Sequence, residues 1–145
     1  MVEEIRDNGE ILAIIVRSGF CEDGVKFFTP SFFSQQLAFM KHPRGHEIGA
    51  HVHIEAQRDV LYTKEVLVMR KGKLRVDFYR EDQSYLESRI LSAGDVILLA
   101  RGGHGFRVIE DVEMFEIKQG PYLGEKDKRR FSGVIEKLVK VKGLL

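Results

Sequence analysis

Histidines concentrate in one short stretch of this chain. His42, His46, His51 and His53 fall within 12 residues, and the fifth histidine, His104, follows much later in G-G-H-G-F. Imidazole nitrogens are common ligands of borderline divalent metals such as Zn, Fe, Mn or Ni. The cluster therefore indicates metal binding as the first chemistry to consider. Histidines that line a pocket or lie in solvent are the simpler alternative.

Two of these histidines have the spacing of a ligand pair. Residues 48–54 are predicted to form a strand, and side chains two residues apart project from the same face of a strand. His51 and His53 would then point together, as two ligands of one ion must. Glu65 begins the next strong strand and is a candidate carboxylate ligand, with a solvated strand end as the alternative. His104 is the candidate third imidazole.

Six further residues are candidates for contact with a bound small molecule: Tyr62, Arg101, Phe106, Glu116, Lys118 and His46. Arg101 could hold an anionic group. Glu116 and Lys118 share a face of the last predicted strand, where they could form a buried acid–base pair or an exposed ion pair. His46 could reach the mouth of the site or lie on the surface. No residue is assigned a catalytic role, and the question of enzyme activity is left open.

The elements that must position these side chains are predicted to be β-strands. They are expected at residues 11–17, 25–29, 36–42, 48–54, 62–70, 73–79, 85–91, 95–99, 104–109 and 112–118. From residue 62 onward they recur at short, regular spacing with turn signals such as Lys71-Gly72 and Glu110-Asp111 between them. This spacing is typical of an all-β sandwich or barrel rather than of alternating strands and helices.

The C-terminal tail and the chain length predict the remaining features of the architecture. After Gly120-Pro121, apolar residues recur at helical spacing, which predicts a short amphipathic helix in a tail at about residues 122–145. The length of 145 residues favours one domain, with the barrel at about residues 11–120. The strand at 62–70 is apolar on both faces. One face would line the barrel, and the other needs covering by a second sheet, by the N-terminal strand or by a partner chain. The last of these motivates the prediction of a homodimer.

The histidine stretch also resembles the motifs of a known superfamily, the cupins. Gly45, five residues and then His51-Val52-His53 match the first half of the first cupin motif. Glu65, six residues and then Gly72 match its second half, although 11 residues separate the halves where the motif has three or four. In the second motif Gly94 and Gly102 match, with His104 one residue early.

The resemblance implies a cupin-like jelly-roll barrel, also called a double-stranded β-helix, with a divalent metal held by His51, His53, Glu65 and His104. The leading expectation is a metal-binding protein that acts on or binds a small polar molecule, such as a sugar, a sugar nucleotide or a small acid. One alternative is a metal-independent sugar-nucleotide isomerase or epimerase, in which a histidine acts as base and Arg101 or Arg107 holds phosphate. Another is a non-catalytic sensor or binding module.

Composition excludes several other classes. The chain carries 23 basic and 22 acidic residues, and this balance gives no general case for binding nucleic acid or membranes. Cys21 is the only cysteine, so an internal disulfide is impossible. The acidic N-terminus lacks the basic start of a signal peptide, and the apolar run at residues 11–16 is too short to span a membrane. A cytoplasmic location is expected.

Overall fold

A computed structural model describes residues 1–143 of the chain. The prediction of an all-β protein is confirmed, with 45% of the residues in strands. The strands of the described part are β1 (Val2–Asp7), β2 (Glu10–Val16), β3 (Gly24–Phe27), β4 (Ala38–Lys41), β5 (Glu65–Tyr79), β6 (Tyr85–Ser92), β7 (Val96–Leu99) and β8 (Gly103–Lys118). The chain divides into two compact units, one made of Met1–Phe20 with Tyr62 onward and one of Cys21–Leu61. The single-domain assignment stays a prediction.

The first unit is one antiparallel sheet that curls into a half-barrel. Its strand order is β1-β2-β7-β5-β6, with β8 paired to β5. The run Ile11–Val16 is buried throughout, as expected for a strand apolar on both faces. The strand β1 was not predicted. It pairs with β2 through a two-residue turn at Asn8 and Gly9, whose positive φ angles of 48° and 82° suit a tight hairpin.

The long strands β5 and β8 form a ribbon that turns a corner. The sequence predicts turns at Lys71-Gly72 and Glu110-Asp111, but both points are irregular bends within continuous strands, where the register between β5 and β8 shifts. Gly72 has a φ of +80°, and a Cβ atom there would lie 2.0 Å from the carbonyl oxygen of Asp111. The two predicted turns therefore do not reverse the chain direction. They mark the positions at which the paired strands become irregular and bend.

The core of the first unit lies on the inner face of this curled sheet. Its buried side chains are Ile5, Leu12, Ala13, Ile15, Leu67, Met69, Leu74, Val76, Phe78, Leu91, Ile97 and Leu99. Alternate residues of β5 contribute on each side of the corner, because side chains of one strand point to opposite faces in turn.

The second unit contains the short hairpin of β3 and β4. Gln36 closes the connecting loop, because its Oε1 accepts a hydrogen bond from Thr29 at 2.7 Å and its Nε2 donates to the carbonyl oxygen of Phe33 at 2.9 Å. The predicted strand at residues 48–54 is not formed. A strand needs a hydrogen-bonding neighbour, and in the described residues none pairs with this segment.

The predicted C-terminal helix is also not formed. Two short 3-10 turns, Gly124–Asp127 and Glu136–Leu138, stand in its place, and residues 144–145 of the predicted tail lie outside the described part. The extended tail finds backbone partners on β6 instead, since Ser88 donates to the carbonyl oxygen of Lys140 and accepts from Lys142, both at 2.9 Å. In the stretch from residue 1 to 143, no helix is long and apolar enough to cross a membrane.

Candidate functional site

The corner of the ribbon brings two predicted metal ligands into contact. Glu65 is the first residue of β5, and His104 lies in register with Phe78, 13 residues further along β5. A straight strand would separate these positions by about 40 Å. In the folded ribbon, Nε2 of His104 lies 3.1 Å from Oε2 of Glu65. Residues from opposite ends of the ribbon therefore meet at one site on its inner face.

Three more side chains complete this cluster. Lys118 is the register partner of Glu65, and its Nζ lies 3.3 Å from Oε1 of the Glu65 carboxylate. The same ammonium lies 3.7 Å from Oδ2 of Asp127 in the first 3-10 turn. The hydroxyl of Thr63 donates to Oδ1 of Asp127 at 2.6 Å. The result is a connected chain of polar groups from Thr63 to His104.

The electrostatics of the cluster favour a charged Glu65. Its side chain is only 9% exposed, yet the hydrogen bond with His104, aided by Lys118, lowers the pKa of this carboxyl to about 2 against the opposing effect of burial. Burial alone would lower the pKa of Lys118, but Glu65 and the nearby acidic groups raise it. An ionised carboxylate is the form that can bind a metal.

The depressed pKa of Glu65 predicts how stability depends on pH in metal-free protein. The folded carboxyl has a pKa of about 2 against an ordinary value of 4.5, so its contribution is complete above pH 4.5 and is lost as pH falls towards 2. We expect wild-type protein to lose about 3 kcal/mol more unfolding free energy than Glu65→Gln across this window. Urea unfolding at stepped pH measures it, and parallel pH profiles would contradict the assignment.

Strand β8 carries exposed apolar side chains on the same sheet face as the polar cluster of Glu65 and His104. Phe106, Val108 and Met114 lie in register with the core residues Val76, Leu74 and Met69, so they share the inner face of the sheet. Their side chains are nonetheless exposed. The ring of Phe106 lies 5.2 Å from that of His104. The polar cluster therefore lies beside exposed apolar side chains of the same sheet face.

The other candidates in the first unit have partners of their own. The guanidinium of Arg101 lies 4.6 Å from the ring of Tyr62, and it forms ion pairs with Glu10 at 2.7 Å and Glu81 at 3.1 Å. Glu116 lies in register with Leu67 on the inner face. In the described residues Lys118 forms ion pairs with Glu65 and Asp127 rather than with Glu116. Binding of a ligand by Arg101, Tyr62 or Glu116 stays a prediction.

The second unit holds the other histidines as two pairs. The rings of His51 and His53 lie 5.2 Å apart, and Nδ1 of His51 lies 2.9 Å from the carbonyl oxygen of Gly49. In the tautomer that donates this bond, Nε2 of His51 is left to bind a metal. His42 and His46 stack at 4.1 Å, which sequence reasoning missed. The role of His46 at the mouth of the site stays a prediction.

The donor set can be compared with what a divalent ion requires. Two ligand atoms bound to one ion at about 2.1 Å lie roughly 3.0–3.4 Å apart, and the 3.1 Å between Glu65 and His104 fits this range. In residues 1–143, no three His, Cys, Asp or Glu side chains form a group that could hold a metal. The four predicted ligands are thus two pairs, with His51 and His53 in one unit and Glu65 and His104 in the other.

Sequence reasoning missed Thr63 and Asp127. Asp127 lies in the charged run at residues 125–130, which resembles an ordinary solvated surface. Thr63 precedes β5 without any motif. Neither residue carried a signal of its own, because they are joined to the cluster by a contact between segments 64 residues apart.

Comparison of the chain with protein-family models, curated proteins and solved structures gives no match. The cupin resemblance therefore rests on the residues of the two motifs.

Proposed function

We propose that this protein is a metal-binding member of the cupins that binds or acts on a small polar molecule. The observation that carries the proposal is the contact between Glu65 and His104 at 3.1 Å. These residues belong to the two separate cupin motifs, and they lie at opposite ends of a folded ribbon. A jelly-roll barrel is the fold we propose for the chain as a whole.

In this proposal His51, His53, Glu65 and His104 hold one divalent ion, either Zn, Fe, Mn or Ni. When bound, the metal supplies Lewis acidity and a template for the ligand. The chain's own residues shape the rest of the pocket. Phe106 offers an apolar wall beside His104. Arg101, Tyr62, Glu116, Lys118 and His46 are proposed to contact the polar groups of the ligand.

Metal analysis of the purified full chain tests the proposal. Protein prepared without chelator is expected to contain close to one equivalent of a divalent metal, measured by inductively coupled plasma mass spectrometry. Metal-free protein should take up one equivalent on titration. Failure of both measurements would rule out the metal site.

A metal-independent sugar-nucleotide isomerase or epimerase is the second candidate. The observation that favours it is again the pairing of His104 with Glu65, because a carboxylate that orients an imidazole also supports a general base. In this candidate the base would be His104, with Arg101 or Arg107 holding phosphate. Activity on sugar nucleotides that survives chelation and is lost in His104→Asn would favour it over the metal proposal.

We also propose that the protein forms a homodimer. Strand β8 pairs with β5 along one edge, and in the part of the chain that the structure describes no strand pairs with its other edge. Phe115 and Ile117 on this strand are 60% and 52% exposed. Long, apolar, unpaired edges are common sites of self-association.

A cytoplasmic location is proposed as well, and the exposed free thiol of Cys21 suits a reducing compartment.

Light scattering at micromolar concentration is expected to give twice the chain mass of 16.7 kDa. Phe115→Lys should shift the protein towards the monomer, because a charge would be buried in the interface. Ser31→Lys, at an exposed position of the second unit, is the control and should leave the mass unchanged. A wild-type monomer would contradict the dimer.

A further inference from the structure

Two arginines face each other across strands β5 and β8. Arg75 and Arg107 are register partners, so their side chains leave the same face of the sheet. This is the outer face, because the neighbouring residues Leu74 and Val76 belong to the core on the inner face. Like charges directly opposite each other destabilise a sheet. An anion between the two guanidinium groups removes this repulsion.

The carboxylate of Glu136, in the second 3-10 turn, supplies that anion. Its Oε1 accepts a hydrogen bond from Nη1 of Arg75 at 2.7 Å, and its Oε2 accepts one from Nη1 of Arg107 at 3.1 Å. The hydrogen bond from Arg75 lowers the pKa of this carboxyl, which keeps it ionised at neutral pH. One carboxylate therefore bridges two guanidinium groups, with one oxygen for each.

Other contacts fix Arg75 independently of Glu136. The Arg75 side chain is only 6% exposed, and its Nε and Nη2 donate to the two oxygens of Asp77 at 2.8 Å and 3.1 Å. Ser88 donates a further hydrogen bond to the same carboxylate. These contacts occupy one side of the guanidinium and leave Nη1 for Glu136. A buried cation that is already fixed binds an anion with little loss of conformational freedom.

Glu136 can leave this position without release of the tail. Its side chain is 60% exposed. The tail has separate anchors on both sides of the turn. Before the turn, the backbone N–H of Val134 donates to the hydroxyl of Tyr79 at 2.9 Å. After the turn, the backbone N–H of Ser88 donates to the carbonyl oxygen of Lys140. Rotation of the Glu136 side chain would therefore open the arginine pair to solvent while the tail stays in place.

We infer that Arg75 and Arg107 form a binding site for the carboxylate of a small acid, and that Glu136 is a built-in competitor for this site. Charge balance selects the class of ligand. Asp77 already balances Arg75, so only the charge of Arg107 remains, and one carboxylate neutralises it. A phosphate dianion would place excess negative charge near Asp77. The site lies on the opposite sheet face from the polar cluster, so the inference does not rest on the proposed metal site.

A simpler explanation is that Glu136 only fastens the tail through a permanent ion pair. In that case no free acid binds between the two arginines of the wild-type protein. If the pair is a ligand site, a free carboxylate competes with Glu136 and binds more tightly once this competitor is removed. The tail anchors hold Glu136 beside the arginines at a high effective concentration, so its removal should have a large effect on affinity.

The test is NMR titration of metal-free, full-length protein with sodium acetate, at an ionic strength kept constant with chloride. The side-chain N–H signals of Arg75 and Arg107 report binding. We expect weak binding by wild type and binding about 10-fold tighter by Glu136→Ala, which loses the tethered competitor and leaves its space free. Arg107→Gln added to Glu136→Ala should weaken binding by about 10-fold, because a charged hydrogen bond is lost.

Glu125→Ala is the matched control, because it removes one carboxylate from the same tail but from a pair with the exposed Arg130. It should bind acetate as weakly as wild type. Circular dichroism checks that the variants fold. If Glu136→Ala does not fold, Arg107→Gln alone should still abolish the weak binding by wild type, since Arg107 is 59% exposed and its replacement leaves the core intact.

Four results would overturn the inference. They are no acetate binding by wild type, equal affinities of Glu136→Ala and Glu125→Ala, no effect of Arg107→Gln, and tighter binding of inorganic phosphate than of acetate. All titrations use metal-free protein, so none of these results bears on the proposed metal site. Failure of that site would appear only in the metal analysis.

Discussion

Replacement of His51 and His53 together by alanine is expected to abolish stoichiometric metal binding. Two of the four proposed ligands are lost, whereas the loss of a single outer-shell partner already costs 10–100-fold, so affinity should fall by more than about 100-fold. Isothermal titration of metal-free protein with Zn²⁺ measures the change. Metal content of the purified variant provides a second reading.

His42→Ala with His46→Ala is the matched control. It removes the same number of imidazoles from the same unit, and these two rings stack on each other rather than on His51 or His53. The control should retain metal at close to the wild-type level. Equal loss in both double variants would indicate nonspecific binding by a histidine-rich segment. Undiminished metal binding by the variant that lacks His51 and His53 would show that these two residues are not metal ligands.

The second large effect is expected at the corner of the ribbon. Gly72→Ala adds a Cβ that would lie 2.0 Å from the carbonyl oxygen of Asp111, at a backbone φ of +80° that alanine disfavours. The conformational cost is about 1–2 kcal/mol, and the displacement of backbone adds about 1–3 kcal/mol. We expect the free energy of unfolding to fall by about 2–5 kcal/mol in total, measured by urea denaturation.

Gly9→Ala separates the two causes of this loss. Gly9 has a similar φ of +82°, but nothing lies within 4 Å of the Cβ that would be added. Only the conformational cost applies there, so the variant should lose about 1–2 kcal/mol. If Gly72→Ala lowers the free energy of unfolding no more than Gly9→Ala does, the close approach of Asp111 to Gly72 adds no steric cost of its own.

The sequence carried enough information for the all-β class, whereas the metal-binding role of the candidate residues stays a prediction. Buried strands such as β2 and β7 are continuous apolar runs, and the Asn8-Gly9 pair marks a tight turn even though the strand before it was missed. Glu65 and His104 were selected from motif spacing, and their contact is found in the structure. Local composition is informative in these cases because strand burial and turn geometry are set mainly by neighbouring residues.

Three features depend on distant partners and were not predictable. The bend at Gly72 interrupts a strand without ending it, because β8 continues to pair on both sides. The tail has helical spacing of apolar residues, but Ser88 offers its backbone as an alternative partner. The segment with His51 and His53 has the alternation of a strand without a neighbour to pair with among the described residues. In each case hydrogen bonding between distant segments decides the local conformation.

The folded ribbon would couple the proposed ligand binding to folding of the chain. Glu65 and His104 lie at opposite ends of β5 and β8, so a ligand that bridges them stabilises only conformations in which the Gly72 corner is closed. The apparent affinity for such a ligand would then be lower than the intrinsic affinity, because some of the binding free energy would be needed to keep the ribbon bent at Gly72. Occupancy of the site and rigidity of the half-barrel would rise and fall together.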